Sequence, residues 1–306
     1  MKHILLVALL SLGISLSAQE TIDLVTLSGR YGLPASYDSV YKGKATEYGA
    51  RVGLLAPIKI SENSYWIVNL DYFYWHVSGN EQMPADIANP INLNGIFLRT
   101  GWYHRFSKGR GIKILIAPRL MSDFKNVNSS HFQFGGVFLF EKKFSDKLTM
   151  AFGAMYNQEF FGPYLVPLID LNWQISDRWS ITGQLPVWAK IKYKVSERVS
   201  VGYSHFGLIT SYRLGDPNYE GDYIERSGID ETLFCRVFLG ADIYVEGRFG
   251  YSLSRSYTQY EADQKVDFSI PLVGFGDDRV QKNINFRDGW IALLRFYYSI
   301  PVPEDK

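Results

Sequence analysis

The sequence predicts an all-β fold, an antiparallel up-and-down transmembrane β-barrel, from three observations. Apolar and polar residues alternate with a period of two along most of the chain, which places them on opposite faces of strands. Tight turns alternate with other connections that are mostly longer and more polar, as in membrane barrels. Aromatic residues make up 16% of the 306 residues. Many of them lie near the tight turns, at the alternate strand positions that carry the apolar residues (the apolar parity), as in an interfacial girdle.

The N-terminus has the three-part layout of a secretory signal peptide. A basic start precedes an apolar run from Ile4 to Leu12, and small residues follow through Ala18. We therefore expect a cleaved signal peptide at residues 1–18 and a single barrel domain at residues 19–306. The apolar run is too short for a membrane-spanning helix, and no later stretch approaches the roughly 20 apolar residues that one requires. The mature chain is predicted to reach the cell outer membrane.

Alternating runs follow one another along the mature chain, and each is interpreted as a strand. They lie at residues 48–58, 66–74, 96–106, 112–116, 132–140, 148–156, 169–175, 179–185, 191–195, 199–203, 233–239, 243–251 and 290–300. Together with the turns, they predict about 14 strands, an even number as single-chain bacterial barrels require. Residues 178–196 must then hold two strands joined through Pro186 to Ala189. If that stretch is irregular, the count falls to about 12.

The breaks between the runs are of two kinds. Tight turns are predicted at residues 61–64, 107–110, 145–147, 176–178, 196–198 and 240–242. Longer polar connections are predicted at residues 34–45, 79–90, 122–130, 213–229 and 256–284. Antiparallel strands joined in this way need no helical crossover, so a parallel α/β sheet is excluded.

Composition excludes several classes of partner. The net charge is +1, so the chain carries no overall attraction for nucleic acid or anionic lipid. Its one cysteine, Cys235, cannot form an internal disulfide and lies on the apolar parity of its run. No glycine-rich phosphate loop is present, and no histidine pair has metal-ligand spacing. We therefore expect no cofactor, no metal and no nucleic-acid partner.

Candidate catalytic groups are few. Four histidines follow the signal peptide: His76, His104, His131 and His205. Ser204 and His205 are neighbours in a strand, so they face opposite ways and cannot pair as nucleophile and base. The polar clusters at residues 128–131 and 277–278 lie in or beside loops, where such residues are usually solvated. We expect that the protein is not an enzyme, and a lipid-acting or proteolytic barrel stays open as an alternative.

The polar parity of the strands predicts a basic inner face. The bases on it are Arg51, Arg99, Arg105, Lys113, Arg119, Lys192, Lys194, Arg236, Arg248 and Arg295, and the acids are Glu47, Asp71, Asp170, Asp242 and Glu246. Apart from Glu47 and Asp242, these are the candidate lumen-lining residues. Aromatic residues on the same parity indicate a constricted or partly filled interior: Tyr65, Phe73, Trp75, Phe97, Tyr103, Tyr244 and Tyr297. The alternative is that these charges pair and pack to close a structural barrel.

The chain resembles the outer-membrane β-barrel proteins of Gram-negative bacteria, especially the uncharacterised, domain-of-unknown-function barrel families of Bacteroidota. The resemblance lies in the leader end SLSAQ, the hairpins FSDKLTMAFGAMY, ISDRWSITGQL and VSERVSVGYSHFG, and the aromatic last strand WIALLRFYYSI. It covers nearly the whole mature chain and implies outer-membrane lipid and the barrel-assembly machinery as partners. One departure is that PVPEDK follows the last strand, where many such barrels end on an aromatic residue.

Two function classes follow. The first is a passive channel or transporter for small solutes, with anions favoured by the basic inner face. The second is a closed barrel that acts through its structure or through binding at its loops. The substrate and the oligomeric state are not predicted by the sequence.

Overall fold

The computed structural model describes residues 21–37, 41–107, 109–219 and 221–301. The predicted signal peptide and the tail after Pro301 lie outside this range. Within it, no helix has the length and apolarity needed to cross a membrane. The β-segments are β1 (Thr21–Ser36), β2 (Lys44–Ser61), β3 (Ser64–Val77), β4 (Ile91–Ser107), β5 (Arg110–Ile116), β6 (Arg119–Ser122), β7 (Phe132–Gln133), β8 (Gly135–Ser145), β9 (Leu148–Glu159), β10 (Gly162–Gln174), β11 (Trp179–Leu185), β12 (Trp188–Lys194), β13 (Val199–Arg213), β14 (Tyr223–Gly240), β15 (Ile243–Tyr260), β16 (Phe268–Ile270), β17 (Val273–Phe275) and β18 (Gly289–Pro301).

These segments build a closed antiparallel barrel of 14 strands. β5 and β6 form one interrupted strand, β7 and β8 form another, and the β16–β17 hairpin lies in the connection before β18. β1 closes the barrel because it pairs with both β2 and β18, so that Leu27 lies opposite Val52 on one side and Phe296 on the other. The predicted 14-strand barrel is confirmed, and the 12-strand alternative is wrong because residues 179–194 form the two strands β11 and β12.

Side chains alternate between the two faces of the wall, as the period of two requires. Leu233, Phe249 and Leu294 point outward and are 50–69% exposed. On the inward parity, Asp71 and Glu246 are fully buried. An outer surface with so many exposed apolar side chains is unfavourable in water. It suits contact with hydrocarbon, and the exposed rings near the turns suit the membrane interface.

The two ends of the barrel differ. All six predicted tight turns join strands at one end, which we call the turn end, and the first residue of β1 and the last of β18 meet there. The opposite end, which we call the loop end, carries the long connections. The turn between β14 and β15 has positive φ at both Ala241 (49°) and Asp242 (61°), as a type I′ hairpin turn requires. Asp242, predicted on the inner face, therefore lies in a turn instead.

The connection before β14 is shorter than predicted, and the connection after β15 begins later along the chain. β14 begins at Tyr223 and β15 extends to Tyr260, so both strands run into stretches that the sequence predicted as loops. The reason is that buried polar residues, including Arg226 and Gln259, replace the apolar alternation by which the other strands were recognised. Two further connections at this end contain only two residues each, at positions 160–161 and 186–187.

The short hairpin of β11 and β12 leaves part of the wall incomplete. Each strand has seven residues, and the last pair with β10 is Ile169 opposite Leu185. From that pair to the loop end, the edge of β10 that faces away from β9 forms one pair within the described ranges, between Tyr164 and Ser269 of β16. The end of β13 instead reaches the β9–β10 turn, where the Phe160 amide donates to the Ser211 hydroxyl at 2.8 Å. Side-chain contacts therefore complete the wall at the loop end.

Candidate functional site

The middle of the lumen contains acids that each bond more than one base. Asp71 is fully buried and accepts from Arg51 at 2.7 Å and from Arg99 at 2.9 Å. The side chains of both arginines are 31–32% exposed, although they lie on the inward parity. They therefore face an internal space that solvent can reach. This group of three residues is the Asp71 cluster.

A second group, the Glu246 cluster, is formed by side chains of β12, β15 and β18. Glu246 is fully buried and accepts from Lys190 at 2.5 Å and from Arg248 at 2.6 Å. Arg295 lies directly across from Glu246 on the next strand. Tyr297 donates to the same carboxylate at 3.1 Å. One acid is thus surrounded by three bases.

The other candidate residues have varied surroundings. Lys113 and Asp170 approach each other at 3.9 Å, and both side chains are about a third exposed. Arg236 bonds Asp23 at 2.7 Å. Arg119 is buried and bonds Glu159 at 2.6 Å, so it does not face an open space. Three more of the predicted lumen-lining residues are half-buried on the inward side: Arg105, Lys192 and Lys194.

Near the loop end, a buried charged group spans the lumen. Glu47 accepts from Arg30 at 3.1 Å, from Arg226 and Arg255 at 3.4 Å, and from the Tyr257 hydroxyl at 2.6 Å. Arg30 also bonds Asp230 on the far strand β14. These residues, which we call the Glu47 cluster, tie β1 and β2 to β14 and β15 across the interior.

An apolar core packs against the Glu47 cluster and fills the loop end of the lumen. The Arg226 guanidinium lies 3.5 Å from the centre of the Trp75 ring, a cation–π contact. Strands and loops both contribute buried residues to this core, among them Trp75, Leu93, Tyr212, Ile224, Tyr257, Ala88 and Phe286. Because Ala88 and Phe286 belong to connections rather than to strands, the loop end is closed partly by loops.

Ion pairs hold the loops to one another. Lys125 donates to Asp216, which joins the connection after β6 to the connection after β13. This hydrogen bond lowers the pKa of Asp216. Lys282 bonds Asp222 at 2.9 Å, and that hydrogen bond raises the pKa of Lys282. The closed arrangement of the loops is therefore stabilised by charge pairs outside the barrel wall.

A cavity of about 190 Å³ lies at the loop end, beside the incomplete part of the wall. Its walls come from β7, the β9–β10 turn, the end of β13 and the connections around residues 221 and 262–265. Two bases line it, Arg213 and Lys265, together with the rings of Phe132, Phe160 and Tyr223. The cavity is therefore both basic and apolar.

Comparison with known protein families assigns the family of this chain. A domain-of-unknown-function family (DUF6268) matches residues 29–270. The chain belongs to the DUF6268 family. No curated protein matches it.

Solved outer-membrane barrels resemble this DUF6268 chain in fold. A COG4313 outer membrane channel from Pseudomonas putida F1 has a TM-score of 0.45 and 11% identity, over 92% of this chain and 97% of the other. The NanC porin has a TM-score of 0.39 and 8% identity, over 90% of this chain and 100% of the other. A TodX monoaromatic hydrocarbon channel mutant has a TM-score of 0.36 and 11% identity, over 96% and 94%. These similarities concern the fold alone.

The histidines of the DUF6268 barrel make structural contacts. His131 accepts from the Asn128 amide at 3.1 Å and completes a capping box. His205 bonds Glu231 at 2.7 Å on the outer face. His104 bonds the Ser64 hydroxyl at 2.7 Å. Sequence reasoning missed that pair, which is formed by direct cross-strand neighbours. Among the described residues, no carboxylate bonds His104, so the pair lacks the acid of a catalytic triad.

Sequence reasoning also missed several lumen residues of the DUF6268 barrel. Lys190 shares the parity of Lys192 and Lys194, and that signal could have found it. Arg226 was predicted in a loop, and Asp230 lies between that predicted loop and the run that begins at residue 233. Arg30 belongs to β1, whose alternation is interrupted by a bulge after Asp23, so the sequence carried little signal for it.

Proposed function

We propose that this protein is a passive outer-membrane channel that admits small solutes and prefers anions. The observation that carries the proposal is the ratio of charges in the lumen. Asp71 bonds two arginines, and Glu246 bonds a lysine and an arginine with Arg295 alongside. One carboxylate can neutralise only one base, so each cluster keeps a net positive charge. In a narrow passage of low dielectric, fixed positive charge lowers the barrier for anions and raises it for cations.

The outer membrane is part of the proposal. The barrel fold, the exposed apolar outer surface and the predicted signal peptide support it. In this arrangement the turn end faces the periplasm and the loop end faces the exterior. Outer-membrane lipid and the barrel-assembly machinery are the expected partners, and origin from Bacteroidota stays a prediction.

Conduction requires that the loops move. The apolar core and the Glu47 cluster fill the loop end, whereas the side chains of Arg51, Arg99 and Lys113 reach an internal space. Ala88 and Phe286 enter the core from loops, so their withdrawal would loosen it at the expense of the single bridge between Phe286 and Tyr37, while the pairs between the strands of the wall stay intact. We propose that the path is closed at rest and opens by this movement.

Reversal potentials in planar bilayers test the selectivity. The native protein in a potassium chloride gradient should favour chloride, and changing Arg99, Lys113 and Arg295 together to glutamine should reduce this preference. A matched control changes three exposed bases in the tight turns to glutamine: Lys147, Arg178 and Arg198. The control should keep the native selectivity. Cation preference in the native protein, or unchanged selectivity in the lumen variant, would contradict the proposal.

A closed structural or binding barrel is the second candidate. The specific observation in its favour is the buried Glu47 cluster, which joins four strands across the interior with the apolar core packed against it. A refolded protein that never conducts, even when its loops are changed, would favour this candidate.

A further inference from the structure

We propose that the cavity at the loop end binds a small organic anion with an apolar body. The inference rests on the proposed function in one respect, because such an anion would be a solute of the channel. Binding to the cavity does not depend on conduction, so the two can fail separately.

The first support is that two cationic side chains in the cavity have no counter-charge among the residues that the structure describes. Neither Arg213 nor Lys265 forms an ion pair with any residue in the described part of the chain. Other bases at the same end are paired: Lys125, Arg279 and Lys282. Arg213 is also half-buried, and a guanidinium partly removed from water is stabilised by an anionic partner. A carboxylate fits its planar fork of donors.

The acid that lines the cavity does not cancel this charge. Glu159 already accepts from Arg119 at 2.6 Å, from the Ser211 amide at 2.9 Å and from the Ser211 hydroxyl at 2.7 Å. Its negative charge is therefore balanced by Arg119 and its oxygens are occupied. The described lining residues leave the cavity with a positive potential.

A further support is the apolar part of the cavity lining. The rings of Phe132, Phe160 and Tyr223 face the cavity, and the Arg213 guanidinium lies 5.8 Å from the centre of the Phe160 ring. The Tyr223 ring is held in place because its hydroxyl donates to the Gln264 carbonyl at 2.7 Å and accepts from Arg279 at 3.2 Å. Rings and a guanidinium on the same cavity suit a ligand with an apolar body and an acidic group.

Size limits the ligand further. A volume of about 190 Å³ holds about six waters at about 30 Å³ each. This space suits a short aliphatic or a single-ring carboxylate, whereas an oligosaccharide or a peptide would not fit.

Calorimetric titration of benzoate into the refolded full-length protein in detergent micelles tests the site. Benzamide has the same ring without the charge, and chloride has the charge without the ring. We expect saturable binding of benzoate and at least tenfold weaker binding of both comparison solutes, since a hydrogen bond to a charged group contributes about tenfold or more in affinity. Equal binding of benzoate and benzamide would overturn the proposal.

Variants assign the binding to this cavity. Arg213→Gln and Lys265→Gln should each weaken benzoate binding about tenfold or more. Arg198→Gln, which changes an exposed base in a tight turn at the opposite end, should bind like the native protein. The heat-dependent gel shift of folded barrels checks folding, and Lys265 in an exposed loop gives a second variant if Arg213→Gln does not fold. Native affinity in both cavity variants would overturn the proposal.

The result separates this inference from the channel proposal. Benzoate binding that needs Arg213, in a protein without conductance, would keep the site and remove the channel. Anion-selective conductance without benzoate binding would keep the channel and remove the site.

Discussion

Glu47 shows how a single residue organises the interior. It is fully buried and bonds three arginines and a tyrosine from three other strands. Burial of so many charges is tolerated only when each has a partner, because an unpaired buried charge costs several kcal/mol. The carboxylate at the centre of this group is therefore the residue on which the pairing of the others depends.

Glu47→Gln is expected to destabilise the barrel strongly. The substitution keeps the shape of the side chain but removes the carboxylate charge that Arg30, Arg226 and Arg255 share, and Arg30 keeps its pair with Asp230. Loss of one member of a buried ionic group costs about 3–5 kcal/mol. Denaturant unfolding in micelles measures the change, and Glu62→Gln in an exposed turn is the control. Equal stability of the two variants would contradict the role of Glu47.

The sequence carried a signal for the face on which a side chain lies, but none for its partners. Strand parity predicted an inward position for Asp71 and Glu246, since parity depends only on local alternation. The bond between Lys190 and Glu246 depends on how strands distant in the chain are aligned across the lumen. No local pattern carries that information, so the clusters emerged only from the structure.

At the scale of elements, the tight turns and the halves of the strands near the turn end were predictable from the sequence. The strand ends at the loop end were not. The run from Trp179 to Leu185 alternates clearly, and it forms β11 as predicted. The first half of β14 carries charged residues on both faces, and its outward Glu225 bonds Arg279 from a loop at 2.8 Å. A strand whose outer face meets a loop instead of lipid lacks the apolar parity that marks the others.

The alternation within β10 makes a prediction of its own. Leu171 lies on the outward parity and Asn172 on the inward parity. Arginine at Leu171 should cost about 2–4 kcal/mol if that side chain faces hydrocarbon near the midplane. Arginine at Asn172 should cost much less, because the inward face carries polar and charged side chains. Refolding titrations in lipid vesicles compare the two, and equal costs would favour a protein core on both sides of the strand.

The whole molecule combines a basic middle with a closed loop end. The Asp71 and Glu246 clusters hold excess positive charge in the middle of the lumen, and loop residues complete the apolar core at one end. Ion pairs such as Lys282 with Asp222 keep the loops in that position. A resting channel with a loop-closed mouth accounts for both features.

The most direct test of this account is the single-channel conductance of the native protein beside a variant whose loop cannot close the mouth. Residues 83–88, which include Met83 and Ala88 from the apolar core, would be replaced by six glycine and serine residues so that the loop length is unchanged. The account predicts brief openings in the native protein, a larger and steadier current in the variant, and anion preference in both. Silence of both proteins, or a current that prefers cations, would contradict it.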